Sequence, residues 1–181
     1  MDEVAEEKFD FSLLGQRKIY LRARIDYNQV NKIAKMLLWL DNNQDTSEIS
    51  LYIKSKGGNT EAGFDLCDII AYTKSPITGI VFTEADSIAA LVLQVCGKRI
   101  MMKHAIIIIH EIDITLGCGW TIFGEEAKKR IEIAEKEQAQ YDGIIAVRSG
   151  LDIKQVRELW EEEKILSAEE ALRLNLIDEI I

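Results

Sequence analysis

Residues 49–72 read ISLYIKSKGGNTEAGFDLCDIIAY, and the pattern changes character in the middle of them. Ile49 to Ile53 is a short apolar run of the kind that forms a strand, and Lys56-Gly57-Gly58-Asn59 breaks it. From Thr60 to Tyr72 the apolar residues Ala62, Leu66, Ile69 and Ile70, with Thr73 beyond, fall on one face of a helix. A strand turned by two glycines into a helix is the repeating half of an α/β fold.

The same alternation runs outward from this stretch. Upstream, Lys18 to Leu21 is a strand candidate, and Asp26 can cap a helix with Val30, Ile33, Ala34, Leu37 and Leu38 on its apolar face. Downstream, Thr78 to Phe82 predicts a strand and Ile88 to Val95 a helix. Two further strand runs follow, Arg99 to Met102 and Ile106 to Ile109. Such alternation, joined by right-handed crossovers, implies a parallel sheet between layers of helices. The apolar run Ile106 to Ile109 suits a strand covered on both faces. Glu125 to Arg148 predicts one long charged helix whose narrow stripe, Ile131, Ala134, Tyr141 and Ile145, needs a surface to bury against, such as another subunit. Shorter helices at Ile153 to Trp160 and Ser167 to Leu174 precede Ile177.

At 181 residues with a single proline, Pro76, and no Gly/Ser-rich linker, one domain over 1–181 is expected, with residues 1–8 as an acidic, frayed tail. A net charge of −9 opposes a general nucleic-acid-binding role. The apolar runs are too short to span a bilayer, and an acidic opening is not a signal peptide. A soluble, cytoplasmic protein is expected. Cys67, Cys96 and Cys118 are scattered among apolar residues, which suggests small buried hydrophobes rather than a disulfide framework.

Three signals could carry chemistry. Ser87 stands where a strand turns into a helix, near free N–H groups and the positive end of the helix dipole. That environment suits a nucleophile whose attack creates an oxyanion, although a plain N-cap serine would also stand there. Gly57-Gly58 after a strand allows close backbone approach to a ligand, or is simply a turn. His110 ends an apolar strand, where ligands gather in parallel sheets, and either a base or a structural histidine fits. His104, in an expected turn, is the weaker of the two histidines. A zinc site would need carboxylate ligands that the sequence does not supply in any recognisable spacing.

In this order, a Gly-Gly turn, a strand-end serine and a strand-end histidine resemble the Clp protease proteolytic subunit (ClpP) family. Residues 51–58, LYIKSKGG, are similar to the family's LYINSPGG. Residues 85–90, ADSIAA, stand for its AASMGA, and Ile108-Ile109-His110 for its MIH. Residues 166–171, LSAEEA, match LSAxEA, and Leu176-Ile177-Asp178 matches the ending GLVD. The resemblance covers residues 9–181. It implies a ClpP/crotonase-like α/β fold of layered parallel sheets with flanking helices and a protruding strand-helix handle, here residues 111–148.

The resemblance also implies a serine endopeptidase working inside an oligomeric chamber. Ser87 would attack the scissile carbonyl, His110 would act as its base, and Glu163 would stand where the family has an acidic third member. The N–H groups of Gly58 and Ile88 would hold the oxyanion. No metal or cofactor is implied. The implied partners are peptide or unfolded-protein substrates, further copies in heptameric rings stacked as a tetradecamer, and a Clp-type ATPase unfoldase. Departures cluster around the serine: Lys56 replaces proline, Thr83-Glu84 replaces Gly-Gln, Asp86 replaces a small residue, Ala89 replaces glycine, and Glu111-Ile112 replaces Gln-Pro. They raise a second reading, a catalytically weak or silent structural subunit. A third is a crotonase-fold acyl-CoA enzyme, which also holds an oxyanion on paired N–H groups.

Overall fold

The computed structural model describes residues 10, 12–42, 46–112, 124–161 and 164–181. The expected tail, residues 113–123 of the expected handle, Cys118 and Glu163 lie outside the described residues. The chain alternates as the periodicity implies: β1 (Lys18–Arg22), α1 (Tyr27–Asp41), β2 (Ile49–Ser55), α2 (Thr60–Tyr72), β3 (Ile77–Asp86), α3 (Ile88–Val95), β4 (Lys98–Met101) and β5 (Ile106–Ile108). The later elements are α4 (Glu125–Ser149), α5 (Ile153–Glu161), β6 (Ile165–Ser167), α6 (Ala168–Arg173) and β7 (Glu179–Ile180).

Strands β1-β2-β3-β4-β7 lie side by side, all parallel. β3 belongs to two pairings in succession. Thr78 to Val81 pairs with β4, and Glu84 to Asp86 then pairs with β5. β6 closes against β5 in antiparallel register. The handover falls at a bulge: Ile53 faces Val81 and Ser55 faces Ala85, so four steps along β3 match two along β2. Extra residues in one strand bend it, and this bend carries the end of β3 across to β5. The strand is therefore longer than Thr78 to Phe82. Thr83 and Glu84 look like loop residues in sequence because one face here is exposed rather than covered.

The helices form for local reasons. The Asp26 carboxylate accepts the Gln29 N–H at 2.8 Å and starts α1, which buries Val30, Ile33, Leu37 and Leu40. Leu38, expected inward, is exposed. The Asn59 side chain accepts the Ala62 N–H at 2.7 Å and starts α2. α3 is buried on every side except at Val95, which is why its sequence is apolar apart from Gln94. A Cβ on Gly63 would lie 2.1 Å from the Ile88 side chain, so α2 and α3 approach at a distance only glycine permits.

The long α4 behaves as two halves. Tyr141 and Ile145 of the expected stripe are in the core, whereas Ile131 and its neighbour Ile133 are exposed. In β5, Ile107 is fully buried, as is Ile109 just beyond the strand, while Ile106 and Ile108 are half-buried. Cys67 and Cys96 are buried thiols, as expected, and burial pushes Cys96 up to about 12.

The Leu176-Ile177-Asp178 ending has a structural task. Arg99, only 3% exposed, receives Asp178 through its guanidinium at 2.5 Å and through its backbone N–H at 2.7 Å. The same guanidinium donates to Gln94 Oε1 and the Asn175 carbonyl. This clamp holds β7 on the outer edge of β4. Ser167 and Glu170 form a capping box that starts α6.

Candidate active site

Ser87 follows directly on β3 with φ 58° and ψ −129°, and its side chain makes no capping hydrogen bond. It is therefore not the ordinary N-cap that its sequence position suggests. A non-glycine residue held at such angles costs on the order of 1–3 kcal/mol and persists only where its surroundings impose it. Three backbone contacts do so. Its N–H donates to the Ile108 carbonyl at 2.9 Å, and its carbonyl accepts from the Ala90 N–H at 2.9 Å and the Tyr141 hydroxyl at 3.2 Å. The hydroxyl is left to face the groove, and the Ser87 N–H is already spent.

The glycine turn packs against this elbow. A Cβ on Gly57, at φ +76°, would stand 2.7 Å from the Asp86 carbonyl and 2.8 Å from Ser87 Cβ. Gly58, at φ +153°, sits beside Ile25, where the Gly57 carbonyl accepts the Ile25 N–H and the Asn59 N–H reaches the Ile25 carbonyl, each at 2.8 Å. The Gly58 N–H is not part of that bridge. The Ile88 N–H, at the first position of α3, has no intrahelical acceptor. These are the two donors that the family resemblance implies for an oxyanion.

Ser87, Gly57, Gly58 and His110 line one groove of about 900 Å³. His110 follows β5 by two residues, so the β3–β5 pairing brings serine and histidine to the same sheet end. Its Nδ1 is 2.6 Å from the Glu111 carbonyl, a contact that requires Nδ1–H to donate and leaves Nε2 as the basic nitrogen. Nε2 lies 3.9 Å from Asp86 Oδ1. That oxygen is buried and has no hydrogen-bond partner among the described residues. Burial pushes the Asp86 carboxyl above the usual range, and Glu84 adds to this, while His110 and Lys56 oppose it.

Behind the histidine lies a network that sequence reasoning misses. The Ile112 N–H donates to Gln138 Oε1 at 2.8 Å, and Gln138 Nε2 donates to Asp142 Oδ1 at 2.8 Å. Asp142, 1% exposed, also accepts from Trp160 Nε1 at 3.2 Å and Arg157 Nε at 3.3 Å. Three donors compensate the burial of a carboxylate that would otherwise be costly. The chain segment carrying His110 is thereby tied to α4 and α5. Tyr141 belongs to the expected stripe, but its bond to Ser87 is not read from it, although a phenol in an otherwise aliphatic stripe signals a hydrogen-bond duty. Its own titration is pushed strongly upward by burial.

A hydroxyl on a strained elbow, an imidazole whose Nε2 carries the lone pair and a glycine turn packed on the elbow form a set suited to acyl transfer. Glu163 lies outside the described residues, and the described partner of His110 Nδ1 is a backbone carbonyl. Among the described residues no three His, Cys, Asp or Glu side chains gather as a metal site, and no helix is long and apolar enough to cross a membrane.

Comparison with known proteins places this arrangement. The family model described as Clp protease matches residues 3–181, and the chain belongs to that family. It is 32% identical over 175 residues to the ATP-dependent Clp protease proteolytic subunit 2 of Streptomyces coelicolor, covering 93% of this chain and 77% of that one. It is 33% identical over 175 residues to proteolytic subunit 4 of Streptomyces avermitilis, covering 93% and 74%. It is 32% identical over 174 residues to the proteolytic subunit of Streptococcus mutans, covering 93% and 86%. Family membership favours the peptidase and scaffold readings over the acyl-CoA one.

Proposed function

We propose that this member of the Clp protease family is a serine peptidase subunit in which Ser87 is the nucleophile and His110 the general base. The observation that carries the reading is the Ser87 elbow, strained to positive φ and packed on Gly57, with His110 lining the same groove. Ser87 Oγ attacks the scissile carbonyl as His110 Nε2 takes its proton. The Gly58 and Ile88 N–H groups stabilise the developing oxyanion, a contribution worth about 3 kcal/mol per donor in sites of this type. His110 then returns the proton to the leaving amine, and water repeats the sequence on the acyl-enzyme. Glu163 is the proposed third member, orienting the imidazole.

The assembly proposed is two stacked heptameric rings joined through α4, whose outer half presents Ile131 and Ile133. One domain over 1–181, a cytoplasmic location and docking of a Clp-type ATPase unfoldase belong to the same reading. A fluorophosphonate probe tests it: labelling of the wild type that Ser87→Ala abolishes supports the enzyme, and an assembled wild type that takes no label sinks it.

The contact of Asp86 with His110 Nε2 favours a second reading, a weak or silent subunit of the same fold. An unlabelled wild type that still forms rings is the outcome this reading expects.

A further inference from the structure

The groove beside Ser87 has a charge opposite to that of the chain. The protein carries a net −9, yet Arg22, Arg24, Lys54 and Lys56 line this groove, and among the described residues two carboxylates, Asp10 and Glu84, line it with them. Asp10 is already engaged by Lys32. Arg22 and Lys54 are register partners on neighbouring strands, where side chains of the same sign sit side by side and repel. Lys54 and Lys56 are exposed on either side of buried Ser55, so both project from the same face. Among the described residues, no carboxylate is within ion-pair distance of Arg24, Lys54 or Lys56. Gathering like charges at the mouth of a cleft focuses the field on whatever enters it.

We propose that this groove selects peptides carrying Asp or Glu side chains next to the scissile bond. The proposal rests on the peptidase reading and specifies its substrate class. Lys56 adjoins the glycine turn and Arg24 adjoins Ile25 on its other side, so the positive charge flanks the reacting centre. These side chains are solvent-exposed, so their attraction is strong at low ionic strength and fades as salt shortens the Debye length.

The test uses the assembled full chain and three internally quenched peptides that differ only in carrying Glu, Gln or Lys on both sides of one cleavage site. At low salt, kcat/KM is expected to fall from Glu to Lys by at least about tenfold, and to converge at high salt. The double variant K54Q/K56Q should lose the preference and K54E/K56E should reverse it. A small uncharged phosphonate should still label Ser87 in both, which reports an intact fold and site. Equal cleavage of the three peptides by the wild type overturns the proposal, as does a preference for Glu that survives charge reversal, while leaving the peptidase standing. Absence of both labelling and cleavage in the wild type overturns the peptidase reading and this proposal with it.

Discussion

Asp86 Oδ1 and His110 Nε2 face each other at 3.9 Å, so the nitrogen that would take the proton of Ser87 has a carboxyl group as a competing neighbour. The other ring nitrogen is held by the Glu111 carbonyl at 2.6 Å, which fixes the imidazole in this orientation. Asp86, the last residue of β3, therefore turns toward the histidine rather than into bulk solvent. A protonated Asp86 can donate toward Nε2, and an ionised one stabilises the imidazolium; both states draw the base away from serine.

Replacing Asp86 with alanine should raise kcat/KM at neutral pH by about tenfold, the effect of releasing one partly buried charge contact at this distance. Rates of probe labelling across pH would check it, and a variant no faster than wild type at any pH counts against the competition. The same substitution has a stability signature. Because burial raises the folded-state pKa of Asp86, its contribution is favourable at low pH and is lost as pH rises through that value. The melting temperature of Asp86→Ala should thus gain on wild type as pH is raised, and the gap should close in acid.

Gly57→Ala should disable the site and weaken the fold together. Its Cβ would meet the Asp86 carbonyl at 2.7 Å on a backbone already at φ +76°. A cost of about 2–4 kcal/mol in urea unfolding is expected, with labelling of Ser87 slowed far more than the loss of stability explains. Full labelling in a stable Gly57→Ala protein would show that the turn does not support the elbow.

Gln138 holds the segment beyond His110 without touching the groove. Gln138→Ala should lower kcat several-fold with KM nearly unchanged, because it loosens the base rather than the binding surface. Glutamate at this position keeps the acceptor for the Ile112 N–H but meets Asp142 with a second carboxylate, so Gln138→Glu should not rescue the defect.

Asp178→Asn tests the clamp at the sheet edge. Arg99 holds the Asp178 carboxyl below the usual carboxylate range, first through its side-chain hydrogen bond. The stabilisation is thus present above the unfolded pKa and disappears as pH falls through the folded one. A loss of about 2 kcal/mol at neutral pH is expected, discounted from the cost of breaking a fully buried pair because Asp178 is 35% exposed. Denaturant titrations at neutral and strongly acidic pH should show the difference between wild type and variant vanish in acid.

The fold was legible where periodicity is long and unmixed, as in β1 to α3, and order along the chain nominates Ser87, His110 and Gly58, which the fold brings to one groove. What escaped has a common physical origin. β3 runs four residues past Phe82, its expected end, because its last residues pair on one side with β2 and on the other with β5, a change of partner that one strand's own pattern does not encode. β6 and β7, of three and two residues, are too short to show any period. Ser87 reads as a cap because propensity reports residue type and not backbone angle. The direction of Asp86 and the duties of Gln138 and Tyr141 depend on elements distant in sequence, so only the assembled fold reveals them.

The shared strand has a consequence in time as well as in space. The elbow at Ser87 needs the Ile108 carbonyl from β5 and the Tyr141 hydroxyl from α4, 54 residues away, and the sheet edge closes only when residues 79 apart meet at Arg99 and Asp178. Non-local contacts of this kind slow folding. On the peptidase reading the site is complete only once these distant segments have met. Cleavage is then expected from the finished subunit and not from a partly folded one.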